Sequence, residues 1–136
     1  MGIPVTLLTA SLLGVLLFAL IMHNARARGR VLKAERQGPV PEALQAALDH
    51  RLRVVANFTE YVPFTLVLLA ALEMSSLPLA LVEGLAATLV LGRALHAWGL
   101  SRSAGPSFGR FVGTSLTWIV LLGGSVAGLY ATFFTP

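Results

Sequence analysis

Apolar residues run along this chain in four long blocks separated by short polar stretches. Residues 5–22 contain no charge. A second block, about 54–72, carries Asn57 and Glu60, and a third, about 78–100, carries Glu83, Arg93 and His96. The fourth, 111–136, is again uncharged. The blocks are continuous and do not alternate with period two, as a membrane β-strand would. Each is long enough to cross about 30 Å of hydrocarbon as a helix, where only helices and closed barrels satisfy their backbone groups. The pattern predicts an all-α fold: one integral membrane domain over residues 1–136, built as a left-handed four-helix bundle with spans near 5–22, 51–73, 78–100 and 111–134.

Composition agrees with this pattern. Of 136 residues, 56% are hydrophobic and only 12% charged, about half the charge of a soluble domain. The chain has no Cys, which excludes a disulfide framework, a thiolate metal site and a cysteine nucleophile. The net charge of +4 reads as a topology signal and not as a nucleic-acid footprint, because the basic residues are segregated. Seven of the ten Lys and Arg lie in 23–53, two in 101–110, and Arg93 sits at the adjoining end of its span. The positive-inside rule makes that side cytoplasmic and puts both termini outside. A signal peptide carries its basic residues before the apolar stretch. Here Arg26, Arg28, Arg30, Lys33 and Arg36 follow it, so the first block reads as a retained span. Gly38-Pro39-Val40-Pro41 is a turn in the long basic loop, after which Glu42 begins a helical extension of span two.

Ionisable residues inside spans are costly and mark functional sites by default. Arg53, Asn57 and Glu60 are spaced by four and three, one stripe down one helix face. Span three runs the other way, so Arg93 and His96 fall at the same depth, and Arg110 opens span four there. Arg53 and Arg110 fit headgroup snorkelling equally well. Asn57 and Glu60 lie too deep for that, and Glu60 calls for a cation, with Arg53, Arg93 and Arg110 as candidates. More cations than one carboxylate needs would suit an anionic ligand. Pro63 frees the carbonyl of Thr59 beside Glu60 and reads as a packing kink. Gly109-x3-Gly113 and Gly124-x3-Gly128 fit helix-packing faces. Trp98 and Trp118 read as belt or packing residues, and Glu73 and Glu83 as structural groups near the outer side.

The run Arg53-Val-Val-Ala-Asn57-Phe-Thr-Glu60-Tyr61, with Arg93-Ala-Leu-His96 and Arg110-Phe-Val-Gly, resembles the motifs of the MAPEG family, the membrane-associated proteins in eicosanoid and glutathione metabolism. The likeness covers the chain in length, span number and topology, and is to its bacterial-type, microsomal glutathione transferase-like members. It implies a homotrimer of four-helix subunits, in a bacterial inner membrane if the source is bacterial. Glutathione, the cosubstrate, would bind between neighbours near the cytoplasmic face, and no metal is implied.

By that resemblance Asn57 and Glu60 hold glutathione, Arg53 joins the ion-pair network or binds the peptide's carboxylates, and Tyr61, Arg93 and His96 line the site. A basic residue from Arg26, Arg28 or Arg30 completes it, with Arg30 the nominated one, and Arg110 is the catalytic residue that stabilises the thiolate. Relatives often have Tyr four residues after the His and Tyr soon after the span-four Arg. This chain has Leu100 and Thr114 instead, which leaves Tyr61 for any tyrosine-dependent step. A free thiol has a pKa near 8.5, and lowering it by two would take about 2.7 kcal/mol, within reach of one guanidinium. The thiolate would attack an apolar electrophile or lipid-derived substrate arriving through the membrane lipid, with transferase or peroxidase outcomes.

Two other readings stay open. A non-catalytic relative would bind a lipid or a partner through the same pocket. A small multidrug-type transporter also has four spans, but such proteins typically place a buried carboxylate in the first span, and residues 5–22 have none.

Overall fold

The computed structural model describes residues 2–102 and 108–135, without the side chains of residues 100–102. Four helices follow in order: α1 (Pro4–Glu35), α2 (Glu42–Glu73), α3 (Leu79–Arg102) and α4 (Phe108–Phe134). Each is long and apolar enough to cross a membrane, and the protein is an integral membrane protein. The helices alternate in direction. The C-terminal ends of α1 and α3 therefore meet the N-terminal ends of α2 and α4, and this is the end that carries the basic residues. Among the described residues α1 packs on α2 and α3, α4 packs on α3 and α2, and α1 does not reach α4.

The core lies between the helices. Leu13 of α1, Phe58, Val62, Leu69 and Leu72 of α2, Val82, Ala86 and Leu89 of α3, and Val120 of α4 form one buried cluster. Large apolar side chains also cover the outside, among them Leu7, Phe18, Phe64, Phe111, Trp118 and Leu122. Apolar surface on this scale needs lipid or protein against it.

One helix runs well past the block of residues 5–22 read as a span. α1 does not end near Met22 but continues to Glu35. The added turns are rich in Ala, Arg, Leu, Lys and Glu, all good helix formers. Their apolar side is occupied: Ala27 and Val31 pack against Leu48, with Val40 and Leu44 alongside. The long basic loop is therefore a helical hairpin beyond the core. Its turn is short, and Gly38, at φ +148°, takes a backbone conformation that a side chain would strain. Glu42 opens α2 directly after Pro41, and the helix passes through Pro63 without interruption.

The opposite end is tied by a carboxylate. Glu73, at the end of α2, accepts the N–H groups of Val5 and Thr6 at 2.7 Å each. A helix's first N–H groups have no partner within the helix and sit at its positive dipole end. Glu73 satisfies two of them from a neighbouring helix, giving the structural role read for it a specific form.

Candidate functional site

The interior row of α2 is Val54, Phe58, Val62, Thr65, Leu69 and Leu72, all buried. The polar stripe lies to one side of that row. Arg53 and Glu60 are exposed and Asn57 is half-buried, so Asn57 marks where the stripe turns into the bundle.

Arg93 meets it there from α3. A guanidinium nitrogen of Arg93 donates to Asn57 Oδ1 at 2.8 Å, and the group lies over the Phe58 ring, 5.4 Å from its centroid. Arg93 is only 1% exposed, and its Nε has no hydrogen-bond partner among the described residues. Burying a lone charge costs several kcal/mol. A hydrogen bond to a charged donor returns about 1.5–3 kcal/mol and a desolvated cation–π contact about 2 kcal/mol. Both of these partners are neutral, so the positive charge stays uncancelled. At 4 Å and an effective dielectric of 20, an anion would gain about 4 kcal/mol beside it.

His96, one turn beyond Arg93, is 6% exposed. Its Nδ1 lies 3.2 Å from Thr114 Oγ1 of α4, and the main chain of Arg110 hydrogen-bonds the same residue. Glycines make this approach possible. A Cβ on Gly113 would fall against the Gly92 carbonyl oxygen and 2.7 Å from the His96 nitrogen. One on Gly109 would come 2.9 Å from the Leu95 carbonyl oxygen and 3.1 Å from Gly99 Cα. The α3 and α4 backbones are thus in direct contact, and any side chain at these points would push His96 away from Thr114 and Arg110. Both glycine pairs lie at helix contacts, the first against the α3 backbone and the second against Leu68 and Leu72 of α2.

The chain model of one family, the MAPEG family, matches residues 5–130. The chain belongs to the MAPEG family. No curated protein matches it closely enough to add a named relative.

Within one MAPEG chain, the fold brings some of the nominated residues together and leaves others apart. Asn57 and Arg93 are bonded, and His96 and Arg110 are neighbours across the α3–α4 seam. Tyr61 is half-buried one turn along from Asn57, and Arg110 is half-buried. Arg53 and Glu60 are exposed on α2, two turns apart, and Arg30 is exposed on the extended part of α1. The described partner of Arg93 is Asn57 and not Glu60. Sequence reasoning missed Phe58 as the ring under Arg93 and Thr114 as the partner of His96. Phe58 follows the motif Asn directly, and an aromatic at that place was the available signal. Nothing in the sequence pairs positions 96 and 114. The departure noted at Leu100 concerns a side chain outside the described residues.

Proposed function

We propose that this MAPEG protein is a glutathione-dependent membrane transferase whose site is completed by a neighbouring copy in a homotrimer. The observation that carries the reading is Arg93. It is a buried cation held by neutral groups and bonded across the helix interface to Asn57, the family's Asn position. An anionic ligand is the natural complement. The outward placement of Glu60 supports completion by another chain, because an exposed carboxylate at its depth is untenable against lipid tails.

In this reading Glu60 accepts hydrogen bonds from the ammonium group of the thiol peptide, and Asn57 bonds its main chain. Arg53, Arg93 and a basic residue of α1, with Arg30 as the nominee, draw its carboxylates. Tyr61 and His96 line the site. Arg110 stabilises the thiolate once the thiol proton has left to water. Sulfur then bonds to an electrophilic carbon, and the leaving group departs with its bonding electrons. The electrophile is apolar and reaches the site from the bilayer. The basic end faces the cytoplasm in this reading, with both termini outside.

Calorimetry of the purified oligomer with glutathione, followed by turnover with an aryl halide, tests it. Saturable binding with conjugate formation supports the enzyme. Saturable binding with no turnover across a panel of electrophiles would favour the non-catalytic reading, which the absence of tyrosine at Leu100 and Thr114 already makes specific.

A further inference from the structure

A second recess, lined by neither Arg93 nor Asn57, opens beside that site. It is a groove of about 310 Å³ between α1, α2 and α3 at the basic end, at the small end of ligand sites. Its floor is apolar, with Leu20, Val54 and Ala97. Its rim is polar, with His23, Asn24, His50 and Arg51. We propose that this groove binds the phosphodiester head group of an anionic membrane lipid, with the start of an acyl chain on the apolar floor.

Three observations support this assignment. The first is depth. Leu20 lies within the uncharged block of α1 and His23 just past it, while Val54 opens the apolar block of α2 and His50 and Arg51 precede it. The groove therefore straddles the level where hydrocarbon gives way to head groups. The second is an unmet polar atom: His50 Nε2 is buried with no partner among the described residues. Asn24 Nδ2, in contrast, donates to the Arg51 carbonyl oxygen at 3.3 Å, which braces α1 against α2 and holds the rim in shape.

The third is charge. The groups acting on the two rim histidines are cationic: Arg26, Arg30 and Arg51 on His23, and Arg51, Arg53 and Arg110 on His50. Asp49 is exposed and accepts a hydrogen bond from Gln45. A phosphodiester carries one negative charge and several acceptor oxygens, which suits the Arg51 fork and the free imidazole nitrogen. A zwitterionic head group would bring its own cation into the same field and gain less.

The test is intact mass measurement of protein taken from vesicles of mixed phosphatidylcholine and phosphatidylglycerol into mild detergent. Wild type is expected to keep phosphatidylglycerol in preference to phosphatidylcholine. The double variant His50→Gln, Arg51→Gln is expected to retain about tenfold less, the loss of one charge-assisted bond. Ala97→Leu fills the floor without changing charge and is expected to reduce retention as well, so the test does not depend on the double variant folding. Lys33→Gln removes a charge from the exposed end of α1 and should leave retention unchanged. Millimolar inorganic phosphate should not displace the lipid. Equal retention of both lipids, unchanged retention in the groove variants, an equal fall in Lys33→Gln, or displacement by inorganic phosphate would each overturn the proposal.

Discussion

The guanidinium of Arg93 and the side-chain amide of Asn57 are joined at 2.8 Å across the α2–α3 interface. This bond sits where the polar stripe of α2 meets the bundle interior. It satisfies part of a buried cation without neutralising it, because Asn57 carries no charge.

Asn57→Leu removes that acceptor and should destabilise the fold by about 1.5–3 kcal/mol, read from thermal unfolding in detergent. Asn57→Asp should behave differently. It gives Arg93 a carboxylate, so the fold should survive, while glutathione affinity falls because the surplus charge is spent inside the protein. Equal glutathione affinity in Asn57→Asp and wild type would remove Arg93 from the binding account.

Gly113→Ala should be poorly tolerated. Its methyl would meet backbone, the Gly92 carbonyl and the His96 nitrogen, and neither can move alone. Overpacking of this kind costs about 1–3 kcal/mol and should separate His96 from Thr114. Gly124→Ala meets the end of the Leu68 side chain at 3.0 Å, which can rotate, so its effect should be smaller. Unfolding midpoints of the two variants compare them directly.

Glu73→Ala leaves two N–H groups at the start of α1 without their acceptor. A loss of about 1–2 kcal/mol is expected, as for a helix cap. Hydrogen exchange should rise in the first turn of α1 and stay unchanged at the basic end. Glu73→Gln keeps one acceptor oxygen and should lie between.

Acid should weaken the basic end. His23 and His50 lie beyond the apolar segments, and burial, followed by neighbouring arginines, holds both below the ordinary 6.5. As pH falls through 6.5 the unfolded chain takes up protons that the folded chain refuses, so stability declines. The decline levels off once the pH passes below the folded pKa. His50→Gln should flatten part of this slope in thermal unfolding followed between neutral pH and pH 5. An unchanged slope would mean that His50 is not held neutral.

The four spans were legible because an uncharged block of this length has few alternatives to a membrane helix, whatever it packs against. The common face of Arg53, Asn57 and Glu60 was legible for a similar reason, since helical periodicity is local. Which face of α2 turns inward was not legible. Lipid and protein core are both apolar, so Val54 and Phe58 facing in and Phe64 and Val67 facing out look alike in sequence. The extension of α1 to Glu35 was hidden because a basic, alanine-containing stretch resembles a linker until Ala27 and Val31 find Leu48. The His96–Thr114 contact depends on how closely two glycine-lined backbones approach, and no spacing along one chain reports that distance.

The proposed function rests on a thiol peptide binding as its thiolate. The most direct measurement is the ultraviolet thiolate absorbance of glutathione added to the purified protein near neutral pH, in wild type, Glu60→Gln and Arg110→Ala. Wild type should give a saturable thiolate signal. Glu60→Gln should bind glutathione more weakly, and Arg110→Ala should show a diminished signal at full occupancy. No thiolate signal in folded wild-type protein at saturating glutathione would contradict it.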